Sequence, residues 1–369
     1  MKTKIVEYIG RIQDGGAETL VKEYALLLDK DLFDVVILCD DYKMESANYK
    51  ILKDNNISVI DMFGANAFIC KVLRRIFKGR FRAILFDKEI ERIKPDIIHV
   101  HLESLETLRY SKKLNGIKLF YTCHNPPEIM IGSKNKIENE SAEFLLKNNG
   151  LRFIALHEDM AKEINKMFGI NNCSVIKNGI YLERFGYVSR TKEEIRKELG
   201  IPEKAYVIGN NGRFSYQKNH EFILNVFAEI NKMMNNAFLI LIGRGKLETQ
   251  IRKQVRALGL DDKVLILSNR SDVPDLLKSM DVFLFPSRFE GLGIALIEAQ
   301  ASGLPCVVSE RIPQEAFQSN QITVMSLDDS VTNWANACID PKCNIDHFGD
   351  IEEYDIKAET KKLGMLYLS

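Results

Sequence analysis

The chain has 369 residues, of which 46% are hydrophobic and 28% are charged, and its 51 basic residues balance 51 acidic ones. A formal net charge of zero argues against a nucleic-acid binder that works through its overall charge. No apolar run approaches the roughly 18–20 residues that span a bilayer, and the N-terminal residues lack the apolar region of a signal peptide. Seven cysteines without CxxC spacing favour reduced thiols over a disulfide framework or a zinc site. We therefore expect a soluble cytoplasmic protein, and its length predicts two domains.

Short segments rich in β-branched and aromatic residues alternate with helical stretches along the chain. Several are apolar on both alternations, which is typical of strands covered by helices on both faces. Residues 18–28 and 221–234 have apolar positions at helical spacing, so the pattern predicts βαβ units and parallel sheets. Seven strands are predicted before residues 178–187 (NGIYLERFGY), which we take as the connector, and six after it: KIVEYIG, FDVVILCD, ISVIDMF, DIIHVHL, KLFYTCH, RFIALHE and SVIKNG, then YVIGNNG, FLILIG, VLILSN, VFLFPS, CVVSE and ITVMSL.

Ligands of open parallel sheets bind beyond the carboxyl ends of the strands, so the loops that follow strands are the candidate sites. Gly15 and Gly16 follow the first strand and open a helix. This diglycine can admit a ligand close to the backbone and an anion at the helix start. It can equally be an ordinary tight turn.

A basic stretch, residues 71–82 (KVLRRIFKGRFR), contains no acidic residue. A basic amphipathic helix with aromatic residues predicts an element that docks on anionic lipid. The alternative is a helix whose apolar side packs on the first domain. Nucleic acid is disfavoured because no binding motif accompanies the stretch. The membrane-facing candidates are its basic residues: Lys71, Arg74, Arg75, Lys78, Arg80 and Arg82.

Three histidines lie in two successive predicted strands, DIIHVHL and KLFYTCH. His124 ends KLFYTCH and precedes Asn-Pro-Pro, where an imidazole can hydrogen-bond a substrate or move a proton near neutral pH; the alternative is a histidine satisfied by local backbone. His99 and His101 share one face of a strand and invite a metal interpretation. Because no Cys, Asp or third His lies at metal-ligand spacing, packing is favoured and no metal is expected.

Arg213 and Lys218 lie in the loop after YVIGNNG. Two cations in one such loop can converge on a diphosphate, with arginine supplying a planar fork and lysine a mobile point charge. A solvated loop with two basic residues is the alternative. The anion-binding turn at Gly291, described next, favours the diphosphate.

The segment FEGLGIALIEAQASGLPCVVS, residues 289–309, is the most informative part of the chain. Glu290 precedes the turn Gly291, Leu292 and Gly293, and Glu298 lies on the apolar helix that follows. Backbone N–H groups at a helix start bind phosphate, and a carboxylate beside that phosphate would be repelled by it. The two glutamates therefore suit sugar hydroxyls, which predicts a nucleotide-sugar site. A hydrolase acid–base pair is the alternative, but sequence spacing does not fix the distance between the carboxylates.

With these motifs together, the chain resembles a retaining glycosyltransferase of family 4 with the GT-B fold, similar to those of capsule and exopolysaccharide synthesis. The resemblance covers residues 4 to about 315 and is supported by NGRFSYQKN, LILIGRG and SNRSDVPDLLKSMDVFLFPS in the expected order. It implies an α/β fold of two doubly wound Rossmann-like domains facing across a cleft. The acceptor-binding domain would be 1–183 and the nucleotide-sugar-binding domain 184–351, with a helix from about 352 to 369 that packs back on the first domain.

The resemblance also implies roles for the residues of the donor site. Arg213 and Lys218 would neutralise the leaving diphosphate, and Glu298 would hold the ribose. Glu290 would hold the donor hexose together with the backbone of 291–293.

Four more residues receive roles from the resemblance. Arg270 would lie near the base and act through main-chain contacts. His124 would contact the donor sugar near the reacting carbon, and Gly15 and Gly16 would admit phosphate and acceptor.

The implied reaction moves a hexose from a nucleotide sugar to a hydroxyl of a glycan, with retention and without metal or cofactor, because cations and N–H groups stabilise the leaving diphosphate. The nucleotide is open between UDP, GDP and ADP, and UDP is the commonest in this class. The basic stretch makes a lipid-linked acceptor in surface polysaccharide synthesis attractive, with the enzyme on the inner face of the plasma membrane. Two alternatives stay open, a GT-B epimerase and a catalytically silent GT-B subunit that binds glycan or a partner enzyme.

Overall fold

The computed structural model describes residues 2–13, 15–42, 46–63, 67–102, 105–268 and 270–369, except for the side chains of 41, 42 and 67–78. The chain separates into two compact units. Unit 1 comprises Met1–Asn178 and Ile356–Ser369, and unit 2 comprises Gly179–Asp355. The boundary between the units therefore falls inside the segment NGIYLERFGY.

Unit 1 contains a seven-stranded parallel sheet, formed by the seven segments predicted as strands in the first half of the chain. Its order is β3-β2-β1-β4-β5-β6-β7, and the central strand β4 is buried at every position. The strand order reverses between β1 and β4. The strands are β1 (Thr3–Ile12), β2 (Phe33–Tyr42), β3 (Ser58–Asp61), β4 (Ile97–His101), β5 (Lys118–Thr122), β6 (Arg152–Ala155) and β7 (Ser174–Val175).

Seven helices of unit 1 connect these strands. Ser46 caps one of them by accepting a hydrogen bond from the N–H of Tyr49, and two others end at Gly150 and Gly169, whose positive φ favours glycine. The helices are α1 (Gly16–Leu27), α2 (Ala47–Asp54), α3 (Ala67–Ile93), α4 (Leu105–Arg109), α5 (Pro127–Met130), α6 (Lys136–Asn149) and α7 (Glu158–Phe168).

The basic stretch lies on α3. Arg80 is exposed, and its guanidinium lies 5.2 Å from the centre of the Tyr110 ring. Arg82 corrects the membrane prediction, because its Nη2 lies 2.7 Å from Asp40 Oδ2 and its side chain is only 12% exposed. The remaining membrane-facing candidates have side chains outside the described part of the structure: Lys71, Arg74, Arg75 and Lys78. None of the described helices combines the length and apolar character that a membrane span needs.

Unit 2 contains a six-stranded parallel sheet, again formed by the six segments predicted as strands. Its order is β10-β9-β8-β11-β12-β13, so the order reverses between β8 and β11. Its core is apolar and includes Trp334 and Phe227, both fully buried. The strands are β8 (Tyr206–Asn211), β9 (Ala237–Ile242), β10 (Val264–Leu267), β11 (Val282–Phe285), β12 (Cys306–Ser309) and β13 (Ile322–Met325).

Seven helices belong to unit 2. Thr191 begins one of them with a capping box, in which its side chain and that of Glu194 each bond the other residue's backbone N–H. The helices are α8 (Leu182–Gly186), α9 (Lys192–Glu198), α10 (His220–Met233), α11 (Glu248–Ala257), α12 (Val273–Lys278), α13 (Ile294–Ala301) and α14 (Val331–Ile339).

The last helix, α15 (Ile356–Leu368), belongs to unit 1 although it follows unit 2 in the chain. Glu359 accepts a hydrogen bond from the N–H of Lys177 at 2.7 Å. The Tyr367 ring lies edge-on to Phe33, with 6.1 Å between ring centres. This helix therefore completes the core of the unit that begins the chain.

Candidate active site

The loops after β8 and β9 touch through their backbones. The N–H of Phe214 donates to the carbonyl of Arg244 at 2.9 Å. Gly243 has φ +142°, and a Cβ there would stand 2.1 Å from the carbonyl oxygen of Gly212. A Cβ on Gly245 would stand 2.3 Å from the carbonyl oxygen of Phe214. Glycine at both positions thus lets one loop support the other, and the supported loop carries Arg213 and Lys218.

Lys218 and Glu290, predicted from two distant loops, form a close ion pair. Lys218 Nζ lies 2.7 Å from Glu290 Oε1, and the side chains are 13% and 6% exposed. The second carboxylate oxygen accepts a hydrogen bond from Gln217 Nε2 at 3.1 Å. Lys218 Nζ also lies 4.6 Å from the centre of the Phe285 ring, a distance at which a cation is attracted to the ring face. Gln217 and Phe285 thus each contact one member of the pair, and Gln217 is a residue that sequence reasoning missed.

Arg288 ties the loop after β8 to the loop after β11. Its N–H donates to the carbonyl of Gln217 at 2.8 Å, and its Nη2 donates to Asn219 Oδ1 at 2.8 Å. Its guanidinium lies 4.4 Å from the centre of the Tyr216 ring. Arg213, in the loop after β8, is exposed. Arg288 was not predicted, although it directly precedes the segment 289–309.

The turn 291–293 leads into α13 as predicted from its glycines. Gly293 precedes the helix with φ +93°, a conformation that favours glycine. Leu292 is buried, so only its backbone is suited to a ligand. The first N–H groups of a helix lack intrahelical acceptors, and α13 is fixed in place because Leu296 and Ile297 are fully buried.

Glu298 is an acid of unit 2 whose pKa is raised above its ordinary value. Its Oε2 accepts a hydrogen bond from Asn211 Nδ2 at 2.9 Å. Desolvation raises the pKa of Glu298 to about 7, although the Asn211 hydrogen bond and the charges of Lys218 and Arg184 oppose the rise. Its carboxyl therefore changes charge near neutral pH.

Arg270 is engaged by acidic side chains. Its Nε donates to Asp272 Oδ1 at 2.7 Å, and its Nη2 lies 3.8 Å from Glu198 Oε1. The side chain is thus occupied, and the main-chain role that the resemblance implies stays a prediction.

Gly15 and Gly16 lie at the start of α1, as the sequence predicted. Gly15 has φ −110° and ψ 167°, an extended conformation that any residue can adopt. The N–H of Thr19 donates to the carbonyl of Gly15 at 2.8 Å. Backbone conformation therefore gives no reason for glycine at position 15, and the ligand role stays a prediction.

His124 lies at the end of a buried chain of hydrogen bonds in unit 1. Its Nε2 lies 2.9 Å from His101 Nδ1, and His101 Nε2 lies 2.7 Å from Glu7 Oε2. The other oxygen of Glu7 accepts a hydrogen bond from the Tyr367 hydroxyl at 2.9 Å. His99 Nδ1 lies 2.6 Å from the same hydroxyl. His124 is therefore bonded to a distant side chain, so satisfaction by local backbone, the alternative considered above, was wrong.

Burial disfavours the charged forms of His101 and His124. Desolvation lowers the pKa of His101 to about 4, and it lowers the pKa of His124 well below its ordinary range. Burial alone would raise the pKa of Glu7, but the adjacent His99 and the hydrogen bond from His101 outweigh it and hold that pKa far below its ordinary range. At neutral pH the Glu7 carboxylate is thus ionised, and the rings of His101 and His124 are neutral.

Glu7, His99 and His101 place one ligand atom each within 4.8 Å of one another. This corrects the argument that the two histidines lack a third group at metal-ligand distance, because Glu7 comes from the neighbouring strand β1. Each of these three side chains also takes part in a hydrogen bond, and the expectation of no metal stays a prediction. A signal for Glu7 was present in the sequence, as an acidic residue inside the apolar strand KIVEYIG.

Comparison with known proteins agrees with this fold. The family model of glycosyl transferases group 1 matches residues 191–323, and the model of glycosyltransferase family 4 matches residues 14–184. EpsF of Bacillus subtilis (strain 168), named as a glycosyltransferase, is 32% identical over 90% of this chain and 86% of its own. The UDP-Gal:alpha-D-GlcNAc-diphosphoundecaprenol alpha-1,3-galactosyltransferase of Escherichia coli is 28% identical over 77% of this chain and 73% of its own.

Solved structures show the same architecture. HepE of Anabaena, in complex with UDP and glucose, superposes with a TM-score of 0.73 at 19% identity, over 99% of this chain and 95% of its own. WaaG, a glycosyltransferase of lipopolysaccharide biosynthesis, superposes with a TM-score of 0.70 at 14% identity, over 98% and 99% of the two chains. The fold is therefore GT-B, with two Rossmann-like domains. The chain belongs to the family 4 glycosyltransferases, and it is a glycosyltransferase of polysaccharide or glycan biosynthesis.

Proposed function

We propose that this protein is a retaining, metal-independent hexosyltransferase. It transfers a hexose from a UDP-sugar to a hydroxyl of a lipid-linked glycan during surface polysaccharide synthesis. The observation that carries the proposal is the contact of 2.7 Å between Lys218 and Glu290. It unites a cation for a diphosphate with a carboxylate for sugar hydroxyls.

Charge on the leaving diphosphate is handled by the loop after β8. Breaking the bond between sugar and phosphate builds negative charge on the diphosphate and positive character on the anomeric carbon. Arg213, which is exposed, and Lys218 stabilise the diphosphate together with the N–H groups at the start of α13. Fixed cations and N–H groups supply what a metal ion would otherwise supply, which supports a reaction without metal or cofactor.

The two glutamates hold sugars and do not attack the anomeric carbon. Glu290 is bonded to both Lys218 and Gln217, and Glu298 is bonded to Asn211. Engaged carboxylates of this kind suit hydroxyl binding, with Glu290 on the hexose and Glu298 on the ribose. The acceptor hydroxyl then approaches from the face that the nucleotide leaves, which retains the configuration.

The choice of UDP and of a lipid-linked acceptor rests on the similar proteins. HepE was solved with UDP and glucose, and the Escherichia coli relative is named for a UDP-Gal donor and a diphosphoundecaprenol-linked acceptor. The CapH protein of Staphylococcus aureus, 24% identical over 99% of both chains, is named for capsular polysaccharide biosynthesis. An acceptor of this kind places the enzyme at the cytoplasmic membrane surface.

The test begins with a thermal-shift screen of UDP, GDP and ADP sugars, because a bound ligand raises apparent stability. The donor that binds best is then incubated with and without lipid-linked glycan, in the presence of a chelator, and the product anomer is read by NMR. We expect hexose transfer that requires the acceptor, retains the anomeric configuration and is not reduced by the chelator. Epimerised sugar without acceptor would instead identify an epimerase, and binding without turnover would identify an accessory subunit.

Membrane contact is tested separately by sedimentation with anionic and neutral vesicles. We expect the protein to sediment with anionic vesicles and to lose this binding when Arg74 and Arg75 are both changed to Glu. Reversal of Arg80 alone, an exposed cation of the same stretch, should weaken the binding to a smaller extent. Unchanged sedimentation of these variants would remove the membrane part of the proposal.

A further inference from the structure

The buried hydrogen bonds of unit 1 determine which nitrogen of His124 carries the proton. An ionised carboxylate only accepts hydrogen bonds, so Glu7 Oε2 receives the proton of His101 Nε2 at 2.7 Å. A neutral imidazole has one N–H and one bare nitrogen, so His101 Nδ1 is bare. It therefore accepts from His124 Nε2 at 2.9 Å. His124 consequently carries its proton on Nε2, and its Nδ1 is bare.

The branch through His99 is consistent with this assignment. Thr122 Oγ1 lies 2.7 Å from His99 Nε2 and can donate its proton there. His99 Nδ1 then donates to the Tyr367 hydroxyl at 2.6 Å, and Tyr367 donates to Glu7 Oε1 at 2.9 Å. Every polar side-chain atom of the branch has a partner. Glu7 accepts a hydrogen bond from each branch, through His101 in one and Tyr367 in the other.

One atom of the network is left over. His124 Nδ1 is buried and has no hydrogen-bond partner among the described residues. The residue as a whole is only 8% exposed. A buried polar group without a partner is costly and rare in native proteins. A bare imidazole nitrogen at the carboxyl end of β5, the edge where such sheets bind ligands, needs a group that donates a hydrogen bond.

We propose that Glu7 and His101 are positioning residues of the transferase, which hold His124 with Nε2 protonated so that its Nδ1 accepts a hydrogen bond from a carbohydrate hydroxyl. This inference rests on the proposed function, because it takes the ligand to be a sugar. A hydroxyl that donates to Nδ1 becomes more electron-rich at its oxygen. Such a hydroxyl can support the positive character of an anomeric carbon, which an imidazole N–H in that place would oppose.

The direct test is the tautomer of His124 in the full-length protein. The chain has six histidines, so two-bond correlations between imidazole nitrogens and protons of a ¹⁵N-histidine sample can resolve them, and variants of single histidines assign the signals. We expect His124 protonated on Nε2 at neutral pH. Protonation on Nδ1, or on both nitrogens, would overturn the inference.

Variants test whether the tautomer governs turnover. In Glu7→Gln the side-chain amide turns its NH₂ group toward one of the two former donors, His101 or Tyr367. Where the NH₂ group faces His101, it donates to His101 Nε2, so the N–H of His101 and that of His124 must each move from Nε2 to Nδ1. We expect kcat to fall by at least about tenfold in proportion to the lost Nε2–H tautomer, by analogy with other enzymes in which a buried acid selects the histidine tautomer. KM for the donor should change little. A fall in kcat with an unchanged tautomer would contradict the positioning role.

Tyr367→Phe is the matched control. It removes the other donor to Glu7 and the hydroxyl partner of His99 Nδ1. The contact between Glu7 and His101 stays in place, so the tautomer of His124 and kcat should both persist. Loss of kcat with the tautomer intact would indicate a merely structural network. The tautomer is read without any substrate, so a protein that lacks transferase activity but has the expected tautomer would refute only the proposed function.

Discussion

Unit 1 and unit 2 hold their ionisable groups in different ways. In unit 1, Glu7 is fully enclosed, and both of its oxygens accept hydrogen bonds. In unit 2, Lys218 and Glu290 retain some exposure. An enclosed network resists rearrangement because each change would strip a buried polar group of its partner. A partly solvated ion pair can exchange partners when an anion arrives. The enclosed network of unit 1 is therefore suited to orient an imidazole ring. The ion pair of unit 2 is suited to neutralise an anionic ligand.

The largest expected effect follows from removing a charge that unit 2 offers to the ligand. Lys218→Ala or Arg213→Ala should lower kcat/KM by roughly 10²-fold or more, as loss of one charge-stabilising donor does elsewhere. Steady-state transfer assays measure it. Lys232→Ala is the control, since that lysine is exposed and paired only with Glu229 on the surface of α10. Near-normal transfer by the Lys218 and Arg213 variants would refute the roles assigned to the loop.

A smaller effect is expected from the backbone that supports this loop. Gly243→Ala places a Cβ 2.1 Å from the carbonyl oxygen of Gly212, whereas Gly259→Ala, also at positive φ, meets nothing within 4 Å. We expect Gly259→Ala to cost about 1 kcal/mol of unfolding free energy and Gly243→Ala about 2 kcal/mol more. Denaturant titration measures both. Equal losses would show that the contact between the two loops is unimportant.

Acid should affect the two units in opposite directions. A histidine whose pKa is lowered on folding binds a proton more readily when unfolded, so His101 and His124 remove stability from unit 1 as the pH falls below about 6.5. Glu298, with its pKa raised to about 7, removes stability from unit 2 as the pH rises from about 4.5 to 7, and therefore returns it on acidification. Each change is on the order of 1–2 kcal/mol between pH 7 and 5.

Amide hydrogen exchange, corrected for intrinsic rates, resolves the two units. We expect protection of β1 and β4 to fall on acidification while protection of β8 and β11 rises. The rise should vanish in Glu298→Gln. Parallel changes in both sheets would contradict the contrast between the units.

The smallest effect concerns binding of the nucleotide. A carboxylate accepts hydrogen bonds from two ribose hydroxyls, and the protonated acid does so less well. Because the pKa of Glu298 is about 7, affinity for UDP-glucose should rise roughly tenfold between pH 6 and 8. Calorimetry at several pH values measures this affinity. UDP-glucose is the chosen ligand because its diphosphate is a diester, which does not titrate between pH 6 and 8. Glu298→Gln should bind with a flat pH profile, and a profile as steep as that of the unaltered protein would remove Glu298 from the ribose site.

The strands of both sheets were predictable because each is a short apolar run between loops, a pattern that is local in sequence. The partners of the site residues were not. Glu7 and His101 lie 94 positions apart, and they meet because β1 and β4 pair in parallel with Ile9 opposite His101. The sequence shows an acid in an apolar strand but not the register that selects its partner.

The basic stretch illustrates the same limit. Its periodicity predicts a helix but does not say which cations face inward. Arg82 faces Asp40, 42 positions earlier in the chain, while Arg80 faces outward. By contrast, the glycines, the turn and both carboxylates of segment 289–309 lie within one loop and helix, so the sequence alone brings them together.

The return of α15 to unit 1 has a consequence for how the protein is made. The ribosome completes residues 179–355 before it reaches the helix that carries Tyr367, although N-terminal domains generally fold first during synthesis. Until that helix is made, Glu7 therefore lacks the hydrogen bond from Tyr367, and Phe33 lacks its contact with the Tyr367 ring. An apolar surface of this kind on a waiting intermediate is a natural substrate for chaperones. A chain interrupted before residue 356 would carry all of unit 2 but would lack the last helix of unit 1.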